Sequence, residues 1–137
     1  MKTNVVLFLC GHGQFCLQLI ESAKMIGASA DNMFAFPLMP EMSPDDYSAN
    51  LVEEFEKHQN ENILCLADLF GGTPCMTLIS LSQKYRFELL TGMNLPMLLE
   101  ISNRENKDFQ QTIQDGKEAG TMGIRNVMEE LRRTNHG

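Results

Sequence analysis

No apolar run in this sequence approaches the ~20 residues that a membrane-spanning helix requires. The apolar start passes straight into Gly11-His12-Gly13 without a signal-peptide cleavage pattern, so the expected location is cytoplasmic. Basic residues are scarce. Lys plus Arg is 11 against 18 for Asp plus Glu, a formal net charge of −7, and no basic stripe exists to neutralise nucleic-acid phosphates. Nucleic acid is therefore not an expected partner. Tryptophan is absent, and the 10 methionines are scattered through apolar segments, where they read as core filling. The four cysteines, Cys10, Cys16, Cys65 and Cys75, form no CxxC pair and no zinc spacing, and read as small buried hydrophobes. Neither a metal nor a cofactor is expected. No linker or low-complexity tract divides the chain, so the expectation is one domain over residues 1–131 with residues 132–137 as a polar tail.

What is present is a repeating strand, turn and helix. Residues 4–10 (NVVLFLC) are almost continuously apolar, as in a strand buried on both faces, and Gly11-His12-Gly13 is expected to end it. Cys16, Leu19, Ile20, Ala23 and Ile26 then recur at helical spacing, with Gly27 as a C′ residue. A weak strand over residues 32–36 precedes Ser43-Pro44-Asp45-Asp46, which has the N-cap, N1 proline and first-turn acids of a helix start. Residues 62–68 (NILCLAD) form a second central strand candidate. There Thr73 can cap, and Pro74 can open, the next helix. A fourth strand is expected over residues 86–91, a short helix over 97–101, and mostly helix from Lys107 onward. Gly116, Gly120 and Gly123 crowd one late segment, leaving residues 121–127 open between turn, extended chain and helix. Alternating β and α elements with short connections imply a doubly wound α/β domain, a mainly parallel sheet with helices on both faces. Ligands of such folds bind beyond the carboxyl ends of the strands.

At that edge three turns converge, carrying His12, Asp68 with Gly71-Gly72-Thr73, and residues 92–96. His12 is flanked by glycines that leave its ring accessible. A neutral imidazole is nucleophilic at one nitrogen when the other carries the proton, and a carboxylate such as Asp68 can fix that tautomer. Gly71, Gly72 and Thr73 precede a helix N-terminus, whose free amides and dipole favour an anion such as a phosphoryl group. These parts suit phosphoryl transfer. No Walker lysine motif and no GxGxxG is present, so a nucleotide donor is not indicated.

The chain resembles the IIA components of the mannose/fructose/sorbose-type bacterial sugar phosphotransferase system. Gly11-His12-Gly13, the Asp68-Leu69-Phe70-Gly71-Gly72-Thr73-Pro74 turn and Thr91-Gly92-Met93-Asn94-Leu95-Pro96-Met97-Leu98 occur in the family's order and approximate spacing, over nearly the whole chain. The resemblance implies that His12 is phosphorylated on Nε2 by the histidine-containing phosphocarrier protein and passes the group to a IIB component. It implies that Asp68 holds Nδ1, that Gly71, Gly72 and Thr73 bind the phosphoryl group, and that Gly11, Gly13, Asn94 and Pro96 form the rim. It also implies a cytoplasmic homodimer that meets the membrane only indirectly, through the IIC and IID components. In that dimer a C-terminal antiparallel strand, expected here between Gly116 and Val127, is exchanged between subunits.

Two positions depart from the family pattern: Gly11 replaces a small hydroxyl residue before the histidine, and Met76 replaces an asparagine after the turn. The first removes a hydrogen-bonding group, and the second bears on helix packing or IIB docking. The alternative reading is a phosphorylation-dependent regulatory interaction module of the same fold. A metal enzyme is disfavoured because only two good ligands converge. An aspartyl-phosphate receiver is disfavoured because Gly11-His12 stands where an acidic pair would be.

Overall fold

A computed structural model of the chain describes residues 5–103 and 108–136. The expected strand start at Asn4, the expected helical start at Lys107 and the last residue, Gly137, lie outside the described residues. The elements in order are β1 (Val5–His12), α1 (Phe15–Met25), β2 (Met33–Leu38), α2 (Pro44–Lys57), β3 (Asn62–Ala67), α3 (Gly72–Leu81), β4 (Glu88–Thr91), α4 (Leu95–Ser102), α5 (Phe109–Met122) and α6 (Val127–His136). The four strands form one parallel sheet in the order β2-β1-β3-β4.

The two central strands are apolar on both faces because both faces are covered. Val6, Phe8 and Cys10 of β1, with Ile63, Cys65 and Ala67 of β3, pack against Tyr47, Leu51 and Phe55 of α2 and against Cys75 and Leu78 of α3. The intervening residues Leu7, Leu9, Leu64 and Leu66 face Cys16, Leu19 and Ala23 of α1 and Met97, Leu98 and Ile101 of α4. Burying one leucine of this kind is worth roughly 1.5–3 kcal/mol, so β1 and β3 anchor the domain. At α2 the expected start is realised as a capping box between Ser43 and Asp46, with Pro44 in the first turn.

Three expectations are corrected. The first strand does not stop at Cys10: pairing with β2 continues through Gly11↔Pro37 and His12↔Leu38, so the chain turns at Gly13, where φ is +59°. Helix α3 is not capped by Thr73; its N-cap is Gly71, without a side-chain cap, and Thr73 lies in the first turn. The late glycines do not make a strand in this chain. Residues 109–122 are helical, and the described residues contain no antiparallel strand.

The physical reason is close packing of two helices. A Cβ on Gly116 would lie 2.7 Å from Ile101, one on Gly120 3.0 Å from Met97, and one on Gly123 2.6 Å from the Pro96 ring. These glycines let α5 approach α4 nearly backbone to side chain. Residues 123–126 link α5 to α6, which extends to residue 136 and contains the expected tail boundary at 131. Among the described residues, no helix is long and apolar enough to cross a membrane.

Candidate active site

Backbone hydrogen bonds gather the site at the carboxyl edge of the sheet. Gly13 N–H donates to the Leu38 carbonyl at 2.8 Å, Asp68 N–H to that of Cys10 at 3.1 Å, and Met93 N–H to that of Ala67 at 3.0 Å. The turns after β1, β3 and β4 are thereby docked on one another. His12 ends β1, Asp68 follows β3, and the β1/β3 register, with Cys10 opposite Ala67, brings them side by side.

Asp68 is the hub. Its Oδ2 accepts the His12 backbone N–H at 2.9 Å and lies 2.8 Å from His12 Nδ1, while its Oδ1 accepts the Leu69 N–H at 2.9 Å. A carboxylate can only accept, so Nδ1 carries the proton, and in the neutral imidazole the lone pair is then on Nε2. The Asp68 side chain is 10% exposed and that of His12 48% exposed. The acceptor is thus shielded and fixed while the imidazole reaches solvent.

The N-terminus of α3 stands against the other side of the ring. Gly71 and Gly72 have φ of +91° and +74°, conformations that favour glycine, and the Gly72 backbone lies beside His12 Cε1 and Nε2. The first-turn amides of α3 lack intrahelical partners and carry the positive end of its dipole, the environment that stabilises a phosphoryl group. Thr73, freed from capping, keeps its hydroxyl for another partner.

Gly11 is buried in β1, beside Asp68: a Cβ there would come within 3.2 Å of its Oδ2. Its φ is not positive, so it is the carboxylate, not the backbone, that needs the space. Asn94 and Pro96 belong to the third turn, yet their contacts run to α5. Asn94 caps α4 by accepting the Met97 N–H and donates to the Gly120 carbonyl at 3.0 Å, and Pro96 meets Gly123. Asn94 also lines an apolar groove of about 550 Å³ with Phe70, Leu89, Met97 and Ile124.

Sequence reasoning missed the apolar collar of the site. Phe15, Leu69, Phe70 and Met76 are all exposed, Phe70 at 77%. The legible signal was large apolar residues in a glycine turn and near the starts of two helices, where polar residues are usual. The cysteines are buried as expected, and burial pushes the thiols of Cys10 and Cys65 well above their ordinary range and raises that of Cys16. Among the described residues, no group of three His, Cys, Asp or Glu side chains is placed to hold a metal ion.

A family model described as EIIA-man, PTS system fructose IIA component, matches residues 6–117. The chain belongs to that family. This IIA component is similar to the fructose-specific EIIA component of the phosphotransferase system of Bacillus subtilis (strain 168), 29% identical over 93% of this chain and 89% of the relative. It is also similar to the sorbose-specific EIIA component of Lacticaseibacillus casei, 28% identical over 78% and 79% of the two chains. The phosphotransferase EIIA of Streptococcus agalactiae has the same fold, with a TM-score of 0.84 at 24% identity, over 92% of this chain and 99% of the other. The expected α/β architecture and family are therefore established, and with them a role in sugar phosphotransfer.

Proposed function

We propose that this IIA component is a cytoplasmic phosphocarrier in which His12 Nε2 accepts a phosphoryl group from the histidine-containing phosphocarrier protein and hands it to a IIB component. One observation carries the reading: an exposed imidazole bonded at Nδ1 to a shielded carboxylate, with its Nε2 edge against a helix N-terminus. In the transfer, the Nε2 lone pair forms the new N–P bond while the donor's N–P bond breaks and its electron pair returns to the donor imidazole. Asp68 keeps the Nδ1 proton in place and stabilises the positive charge that develops on the ring. Gly71, Gly72 and Thr73 receive the phosphoryl oxygens through α3 amides and the Thr73 hydroxyl. Gly11 leaves room for the Asp68 carboxylate, Gly13 leaves the approach open, and Asn94 and Pro96 hold the neighbouring turn.

The collar of Phe15, Leu69, Phe70 and Met76 suits a protein donor and acceptor, since apolar side chains exposed around a reactive group are a docking surface in kind. The net charge of −7 favours basic partners. A homodimer is part of the proposal. The membrane is met only through IIC and IID, which, unlike IIA, handle the sugar.

The test incubates the purified chain with phosphoenolpyruvate, enzyme I and the histidine phosphocarrier protein, and follows intact mass. An acid-labile adduct on wild type that is lost in His12→Ala is expected. Labelling retained in His12→Ala would sink the assignment, and an unlabelled folded wild type with an active donor system would favour the regulatory-module alternative.

A further inference from the structure

Among the described residues, five glycines adopt positive φ: Gly13, Gly27, Gly71, Gly72 and Gly92. At four of them a Cβ would meet nothing within 4 Å, so backbone conformation alone accounts for the residue. Gly72 is different. A Cβ there would lie 2.9 Å from His12 Cε1 and 3.2 Å from His12 Nε2. Carbon atoms in favourable contact stand about 3.5–4.0 Å apart, so the imidazole occupies space that any other residue would claim. The ring is bonded on its Nδ1 edge to Asp68 at 2.8 Å, and its Cε1–Nε2 edge takes the space that a Cβ on residue 72 would fill.

We propose that Gly72 is a positioning residue for His12: its missing side chain seats the ring so that Nδ1 stays on Asp68 while Nε2 faces the α3 amides. This rests on the reading of His12 as phosphoryl acceptor, and adds to Gly72 a role distinct from offering an amide. Relieving a 2.9 Å contact requires the ring to move by roughly 0.6 Å. The favourable range of such a hydrogen bond is only about 0.5 Å wide. A methyl group at position 72 therefore displaces the ring from Asp68 or from the phosphoryl site.

The experiment compares Gly72→Ala with Gly27→Ala, which places alanine at positive φ with open space, at the end of α1 away from the site. Three readouts are taken: thermal midpoint, the nitrogen shifts of the His12 ring by long-range proton–nitrogen NMR, and phosphoryl acceptance resolved into kcat and KM for the donor. Gly72→Ala should lower kcat about 100-fold, as displacements on the ångström scale do, with little change in KM. Its ring signals should move toward a mixture of tautomers, while Gly27→Ala should leave both as in wild type. Wild-type ring signals, or a kcat within threefold of wild type, would overturn the proposal.

A double-mutant cycle tests the contact without any phosphoryl donor, so its failure is distinguishable from failure of the carrier reading. In the His12→Ala background, Gly72→Ala should lower the midpoint only as much as Gly27→Ala does in wild type, even if Gly72→Ala alone does not fold. An undiminished loss in that background, or a double mutant that does not fold, would remove His12 as the cause and refute the assignment.

Discussion

Replacing Asp68 by asparagine changes one atom's chemistry and tests the whole site. The carboxylate accepts three N–H groups, two at Oδ2, from the backbone and ring of His12, and one at Oδ1, from Leu69. An amide has one oxygen. If the oxygen faces His12, the tautomer survives but the ring bond loses its charge assistance, falling from about 1.5–3 to about 0.5–1.5 kcal/mol. The amide NH2 then opposes the Leu69 N–H, and an unmet donor at this shielded place costs about 1–3 kcal/mol of stability. If the NH2 faces His12 instead, Nδ1 becomes the acceptor, the proton moves to Nε2 and the nucleophilic lone pair is gone. The first orientation alone loses about 1–2 kcal/mol of transition-state stabilisation, a factor of roughly 5–30. Any population of the second adds to it, so acceptance should slow by about 10- to 100-fold. Quenched-flow labelling with saturating phosphorylated donor measures the rate, and ring nitrogen shifts report the tautomer. Asp68→Asn labelling within twofold of wild type would refute the argument, as would a slow variant whose ring keeps the wild-type tautomer without loss of stability.

Thr73→Ala should leave the thermal midpoint nearly unchanged, because Gly71 caps α3, while slowing phosphoryl acceptance several-fold through loss of a hydroxyl donor; a destabilised variant with normal kinetics would restore the capping role. Gly123→Ala should cost about 1–3 kcal/mol in denaturant unfolding, since its Cβ would lie 2.6 Å from the Pro96 ring, and Pro96→Ala should relieve that cost in the double mutant. The buried thiols set an alkaline limit. Cys10 and Cys65 keep their protons in the folded state to well above their ordinary pKa near 9, whereas the unfolded chain releases them there. The folded state then binds more protons, so stability is full below about pH 9 and falls above it, by up to about 1.4 kcal/mol per pH unit for each thiol. Unfolding midpoints from pH 7 to 10.5 check this, and a flat profile would contradict the burial of these groups.

Much of this was legible because the informative segments are locally consistent. The apolar runs of β1 and β3 have few alternatives to a doubly covered strand, and Ser43-Pro44-Asp45-Asp46 specifies its helix start through chemistry confined to four residues. The pairing of His12 with Asp68 was legible only through topology, since 56 residues separate them and the parallel sheet alone makes them neighbours. Where reading stopped, the deciding contact was long-range. Gly11 and His12 look like a turn but remain in β1 because β2 offers Pro37 and Leu38 as partners. Thr73 looks like a cap, yet two consecutive glycines at positive φ start the helix earlier. Gly116, Gly120 and Gly123 look like breaks in a helix, although Ile101, Met97 and Pro96 explain them from a different element.

The register between β1 and β3 ties competence to folding itself. Side chains alternate across a strand, so sliding β3 by one residue would send Leu64 and Leu66 to the layer now holding Cys65 and Ala67, and would carry the Asp68 carboxylate away from the His12 ring in the same motion. A one-residue slip therefore cannot keep the layers and lose only the chemistry. On the proposed carrier role, a sample refolded with β3 one residue out of register should therefore take up no acid-labile phosphate, and titrating that phosphate against protein concentration would expose such molecules.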